Sequence, residues 1–270
     1  MSTEEIRKTT VKNFGDQFHI FDQANDPYWA GNEHVSDLLG DVFDFNEIKD
    51  KEIGEVGSGS GRIVKILCNH DPKYFYSIEP SNSIDVIKKN NSFKNLSIIN
   101  KDGASFKLDK KIDFFFSLGV IHHIKDPKDV LENIFNHLKD NGIFLCSVYA
   151  KENNKFLMLM LKLLRFCSKL DDKILMFISS FINYSLIPYM LVCKILPFNL
   201  PMKEYLLKRF SRNNFLNRKQ IIFDQLNPLY AKFYSKKEII SEIESVGFKV
   251  EKTFDSAGNN WGIRAKKLSK

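Results

Sequence analysis

Between residues 52 and 150, short apolar runs rich in β-branched and aromatic side chains alternate with stretches of helical periodicity, and few folds accept that alternation. The runs are Glu52–Gly57, Tyr74–Glu79, Leu96–Ile99, Ile112–Leu118 and Ile143–Val148, with helical stretches over 61–69, 83–91 and 128–139 between them. In the last stretch Val130, Leu131, Ile134, Phe135 and Leu138 share one helical face. Strands separated by helices pair in parallel and need cover on both sides. Ile143–Val148, apolar but for Ser147, is expected in the sheet interior, and Asn141-Gly142 reads as the C-cap of the helix before it.

Near the C-terminus Ser235-x-x-Glu238 forms a capping box that opens a helix carrying Ile239, Ile240, Ile243 and Val246, stopped at Gly247. Two further runs, Phe248–Phe254 and Trp261–Lys266, are joined by the Gly/Asn-rich stretch 255–260 as an antiparallel hairpin. The fold class is therefore α/β: a Rossmann-like, mostly parallel seven-stranded sheet with helices on both faces, an antiparallel C-terminal hairpin and an α-helical cap insertion. The expected organisation is an N-terminal helical segment or flap over 1–50, the sheet domain over 51–150 and 227–270, and the cap over 151–226. With 43% hydrophobic and 27% charged residues the chain can bury a core, which excludes a largely disordered protein.

The insertion carries the chain's charge. Residues 151–220 hold thirteen Lys/Arg against four Asp/Glu, a net of +9, while the whole chain is +7. Within it Ile174–Cys193 is twenty residues without a charge, long enough to span a membrane. Asn183, Pro188 and several hydroxyl residues argue against a span, as does the need to return two strands to the sheet. A helical cap with peripheral membrane contact is the reading adopted, a dimer interface being the alternative use of its apolar face. The first fifteen residues mix both charge signs and lack the apolar run of a secretory leader, and Cys68, Cys146, Cys167 and Cys193 form no C-x-x-C pair. A cytoplasmic protein with buried, reduced thiols and no metal site is expected.

The segment Glu55-Val56-Gly57-Ser58-Gly59-Ser60-Gly61-Arg62 falls where the first strand turns into the first helix. Glycines there allow a sharp turn and a ligand lying against the backbone. Glu79 ends the second strand, where a carboxylate can accept hydrogen bonds from ribose hydroxyls. A dinucleotide-binding G-x-G-x-x-G would need glycine at 62 or 64, and the chain has Arg62 and Val64, which disfavours a nicotinamide oxidoreductase.

With these motifs in order, the chain resembles the class I S-adenosylmethionine methyltransferases from about Lys51 to Tyr149. Asp102-Gly103 follows the third strand, and Asp113–Ser117 with Leu118-Gly119-Val120-Ile121-His122-His123-Ile124 matches the fourth strand and its loop. The resemblance implies that Gly57, Ser58, Gly59 and Gly61 line the methyl donor and that Glu79 holds its ribose. Asp102 with Gly103 would meet its adenine, Leu118 would flank it, and Glu55, often Asp in the family, would lie near its amino-acid end. S-adenosyl-L-methionine is the implied cofactor, leaving as S-adenosyl-L-homocysteine.

Methyl transfer from a sulfonium is an in-line displacement, so the protein must mainly align the acceptor, exclude water and, for some acceptors, take a proton. His122 and His123 are candidate bases, with a packed loop as the structural alternative. Tyr28 and Trp29 are candidates for the acceptor side, in an aromatic segment (Phe14–Phe21, Asp26–Trp29) that either closes over the donor or packs on the sheet edge. Phe14–Phe21 and Asn259-Asn260-Trp261-Gly262 also resemble the start and end of a bacterial group within the family. A small-molecule acceptor, apolar or anionic, is expected; no DNA-binding feature is present, and RNA is disfavoured because no N-P-P-Y-type motif follows the fourth strand. A non-catalytic, membrane-associated binding protein is the reading from a different class.

Overall fold

The computed structural model describes residues 2–21 and 26–269; residues 1, 22–25 and 270, which belong to the expected N-terminal segment and the chain end, lie outside the described residues. Among the described residues one seven-stranded sheet runs β1 (Glu52–Val56), β2 (Tyr74–Ile78), β3 (Leu96–Ile99), β4 (Ile112–Leu118), β5 (Leu138–Tyr149), β6 (Phe248–Ser256) and β7 (Asn260–Lys267) in chain order. Its spatial order is β3-β2-β1-β4-β5-β7-β6. The first five strands pair in parallel and β6 and β7 form an antiparallel hairpin, as the sequence predicts; β7 is also antiparallel to β5. Strand order reverses between β1 and β4, which opens a crevice at their carboxyl ends, the usual ligand position in such sheets.

Helices α1 (Thr3–Ile20) and α2 (Asn32–Leu39) precede the sheet; α3 (Arg62–Cys68), α4 (Ile84–Asn90) and α5 (Lys128–His137) connect its strands. After β5 come α6 (Lys155–Leu163), α7 (Asp172–Ile195), α8 (Lys203–Lys208) and α9 (Phe215–Leu226), and α10 (Lys236–Glu244) leads into β6. The alternation along β4 shows how the sheet is covered: Phe115 faces a cluster with Leu131 and Ile134 of α5 and Ile239 and Ile243 of α10. Phe114 and Phe116 face the opposite cluster, with Val35 and Leu39 of α2 and Ile63 and Leu67 of α3. A third cluster lies within the insertion, where Leu175 and Met190 of α7 pack with Leu206, Phe210 and Phe223.

The capping box at α10 forms, with Glu238 N–H donating to Ser235 Oγ at 3.3 Å and Ser235 N–H to Glu238 Oε2 at 2.7 Å. Asn141-Gly142 is a correction. The helix α5 stops at His137, because Leu138 already pairs with Ile112 in the sheet, and Asn141 (φ 62°) belongs to an irregular stretch before regular pairing resumes at Ile143. All four cysteines are buried and unpaired, and no cluster of metal-ligating side chains exists among the described residues.

Candidate active site

The turn after β1 folds as its glycines dictate. Gly57 and Gly59 have φ of 83° and 54°, and a Cβ would lie 2.5 Å from Val120 at the first and 2.6 Å from the Phe18 ring at the second. Phe18 belongs to α1, so the N-terminal helix lies directly over the loop; Gly15, one turn earlier, leaves room for Ser81 and Asn82. Glu79 is buried at the tip of β2. Its Oε2 accepts the Gly59 N–H at 2.8 Å and its Oε1 the Ser81 N–H at 2.9 Å. Each carboxylate oxygen keeps a second lone pair, so Glu79 shapes the loop and still has acceptor capacity toward the cavity it lines.

Glu55 is 1% exposed, and neither its Oε2 nor the Ser58 Oγ has a hydrogen-bond partner among the described residues. Burial pushes its carboxyl up to about 8, while Ser58 and Arg62 pull it down and Glu79 adds to the rise. A buried acid with an unused oxygen in the lining of a cavity suits a ligand ammonium. Arg62, at the start of α3, lies with its Cζ 4.5 Å from the centroid of Trp29. Burial lowers its pKa and the nearby carboxylates of Asp224 and Glu55 oppose this.

Gly57, Ser58, Gly59, Glu55, Glu79, Asp102, Gly103, Leu118, Tyr28, Trp29 and His123 line one cavity of about 700 Å³. Two expected residues do not. Gly61 caps α3 and packs on α4, its Cβ position 2.4 Å from Asn91 Nδ2, so it shapes the turn from behind. His122 is fully buried, its ring 3.8 Å from the Tyr149 ring, with both nitrogens unpartnered and its pKa held well below the usual value by burial. His123 reaches the cavity beside Phe14, with ring centroids 4.7 Å apart, and its Nδ1 is 3.1 Å from the Tyr230 carbonyl oxygen. Asp102 is already engaged: its Oδ2 accepts from Arg7 of α1 at 2.5 Å and its Oδ1 from the Ala104 N–H at 2.9 Å.

The far wall comes from residues the motifs gave no hint of. Tyr205, Arg209, Asn213, Gln220 and Asp224 of the insertion line the same cavity, with Asp37 of α2 and Tyr149 of β5. Arg209 pairs with Asp37 and donates to the Asp37 carbonyl at 2.8 Å and Ser256 Oγ at 3.1 Å; Tyr28 donates to Asp37 Oδ2 at 2.8 Å. Asp224 accepts from Gln17 of α1 at 2.9 Å and from the Tyr149 hydroxyl at 3.4 Å. Asn227 donates to the Gln17 side chain at 3.0 Å and to the Asn13 carbonyl at 3.1 Å, so α1 and α9 are clasped across the cavity. A signal existed: Asn217, Gln220, Asp224 and Asn227 recur at helical spacing, a polar stripe where a packed helix should be apolar. Acidic side chains outnumber basic ones in the lining, eight (Glu4, Asp37, Glu55, Glu79, Asp102, Asp126, Asp129, Asp224, with Glu55 protonated at neutral pH) against four (Arg7, Arg62, Lys125, Arg209).

Residues 54–146 match the sequence model of the methyltransferase-domain family. The chain is 31% identical over 151 residues to malonyl-[acyl-carrier protein] O-methyltransferase of Bacillus anthracis, covering 54% of this chain and 55% of that one. It is 26% identical over 136 residues to tRNA U34 carboxymethyltransferase of Aliarcobacter butzleri, covering 49% and 43%. The chain thus spans about half the length of the curated relatives it matches. Among solved structures, Burkholderia thailandensis 1,6-didemethyltoxoflavin-N1-methyltransferase, with bound 1,6-didemethyltoxoflavin and S-adenosylhomocysteine, superimposes with a TM-score of 0.58 at 12% identity, covering 100% of this chain and 92% of that one. The fold is thus that of the solved methyltransferase it superimposes on, and residues 54–146 resemble the methyltransferase-domain family.

Proposed function

We propose that this protein is an S-adenosylmethionine-dependent methyltransferase that acts on a small molecule held between the glycine loop and the helical insertion. The observation that carries the reading is the shared cavity: the loop after β1 and Glu79 form one wall, and Tyr205, Arg209, Gln220 and Asp224 the other. Its volume of about 700 Å³ falls within the range of small-molecule sites, about 300–1,000 Å³. In this reading residues 51–150 and 227–270 form the donor domain and 151–226 the cap, the boundary falling where α9 ends. α1 and the turn at 26–31 close the remaining side.

The donor supplies an electrophilic methyl group on a sulfonium. Glu55 and Ser58 hold its amino-acid end, Glu79 its ribose, and Asp102 with Gly103 its adenine once Arg7 yields or shares the carboxylate. Leu118 and the Phe18 ring keep water from the reacting centre, and the excess of carboxylates favours a cationic ligand. The same excess opposes an anionic acceptor and gives a polyanion such as RNA no seat, so the acceptor is neutral or basic, held by tyrosines and amides. His123 is placed to receive a proton from it, which His122 is not. The enzyme works in the cytoplasm.

Calorimetry tests the donor half: S-adenosylhomocysteine binds and NAD does not. Radiolabelled methyl transfer to a panel of neutral and basic heterocycles and phenols tests the rest. Binding of NAD in place of S-adenosylhomocysteine would return the nicotinamide alternative.

A further inference from the structure

Helix α7 is apolar on both sides, and Met176, Ile178, Ile182, Leu186 and Ile187 pack toward the insertion's core. Its inner face presents Leu175, Ser179, Asn183, Met190 and Cys193, small or polar at three of five positions, and Asn183 donates from its side chain to the Phe215 carbonyl at 2.9 Å. Its outer face presents Ile174, Phe177, Phe181, Tyr184, Pro188, Leu191 and Ile195, a stripe of period 3.5 that runs the length of the helix. Phe177 is 73% exposed, Phe181 66% and Ile195 78%. A helix serving only its own domain would turn a polar face to solvent in place of this stripe. Helix α6 adds exposed Phe156, Leu159 and Leu163.

The surrounding charge says what covers this face. Of the thirteen basic residues in 151–220, Arg209 alone lines the cavity among the described residues, so the site does not account for the others. Lys155, Lys162, Lys169, Lys173 and Lys194, at the ends of α6 and α7 and between them, are exposed and form no ion pair among the described residues. A second copy pressed onto the same face would set two segments of net +9 together. An anionic lipid surface meets apolar side chains and cations at once. The helix is long and apolar enough to cross a membrane, yet its inner face is packed on α8 and α9, which suits lying in the interface plane.

We propose that the outer face of α6 and α7 docks this protein onto anionic membranes, with the apolar stripe in the interface and the lysines against lipid headgroups. The proposal stands apart from the methyl-transfer reading.

Vesicle flotation with the full chain tests it, comparing phosphatidylglycerol:phosphatidylcholine 3:7 with phosphatidylcholine alone. Binding to the anionic vesicles at least about tenfold above the neutral ones is expected, since each lysine at the surface contributes on the order of a factor of five. Phe177→Ser with Phe181→Ser, and separately Lys169→Glu with Lys173→Glu, should each lower that binding about tenfold or more. These side chains lie outside the core, so a cooperative urea transition and S-adenosylhomocysteine affinity equal to wild type would certify folding and keep this test separate from the donor site. Equal binding to both vesicles, or none to either, overturns the proposal. If binding is absent and sedimentation equilibrium finds a dimer that Phe177→Ser with Phe181→Ser dissolves, the face is an interface between copies.

Discussion

Replacing Glu55 by Gln perturbs one proton in one buried place, and the outcome can be worked from the structure. The wild-type carboxyl holds its proton up to about pH 8 in the folded chain, against a reference near 4.5 when exposed. Folding therefore takes up a proton between those values, and stability falls as pH rises through that window. Raising the carboxyl from about 4.5 to about 8 corresponds to about 5 kcal/mol at most, of which roughly 3 kcal/mol is incurred between pH 5 and pH 8. Glutamine has no proton to lose, so the stability of Glu55→Gln relative to wild type should rise by about 3 kcal/mol over the same interval, read from urea unfolding at the two pH values. The donor side gives the opposite sign. If an ammonium pairs with Glu55, binding of S-adenosylhomocysteine at pH 7 should release close to one proton, seen as a heat that depends on the buffer's ionisation enthalpy. The variant should release none and bind at least about tenfold more weakly, a loss of about 1.4 kcal/mol or more. A stability difference that is the same at pH 5 and pH 8, together with buffer-independent heats for wild type, would refute the reasoning.

Glu79→Ala removes the partner of two buried backbone N–H groups and should weaken S-adenosylhomocysteine binding by about 1.5–3 kcal/mol in calorimetry; an unchanged dissociation constant in a folded variant takes Glu79 out of the site. His122→Phe should be neutral or stabilising by about 1 kcal/mol in urea, since it removes two unpaired buried nitrogens. His123→Asn should leave donor affinity intact and slow turnover by about 10²-fold once an acceptor is in hand. Asp224→Ala frees Gln17 and should hasten proteolysis of the α1 segment about tenfold, matching about 1.4 kcal/mol of lost clasp. Gly262→Ala should cost about 1–3 kcal/mol, because its Cβ would stand 2.5 Å from the Leu38 carbonyl oxygen where α2 crosses β7.

The sheet was readable because its central strands are buried and largely apolar, as in Phe114–Phe116, and because Gly57 and Gly59 mark a turn that side chains would block. Local signals were weaker where a tertiary partner decides. Asn141-Gly142 looks like a helix stop, but pairing of Leu138 with β4 ends the helix first. Asp102 and Glu79 are both acidic residues after strands; only the fold reveals that one meets Arg7 and the other the loop itself. The far wall of the cavity was hidden for a different reason: Arg209, Gln220 and Asp224 come from an insertion with no motif, and they reach the cavity through packing of α8 and α9.

The clasp between α1 and α9 ties residues 207 to 214 positions apart. Closing so long a loop is entropically costly, and its contacts can form only after the sheet has brought the ends together. During synthesis the glycine loop, Glu79 and Asp102 leave the ribosome long before Asp224 and Asn227, so an early chain presents half a crevice with its roof unmade. The far wall and the clasp are therefore the last parts of the cavity to be completed, and any ligand that touches both walls stabilises only the finished chain.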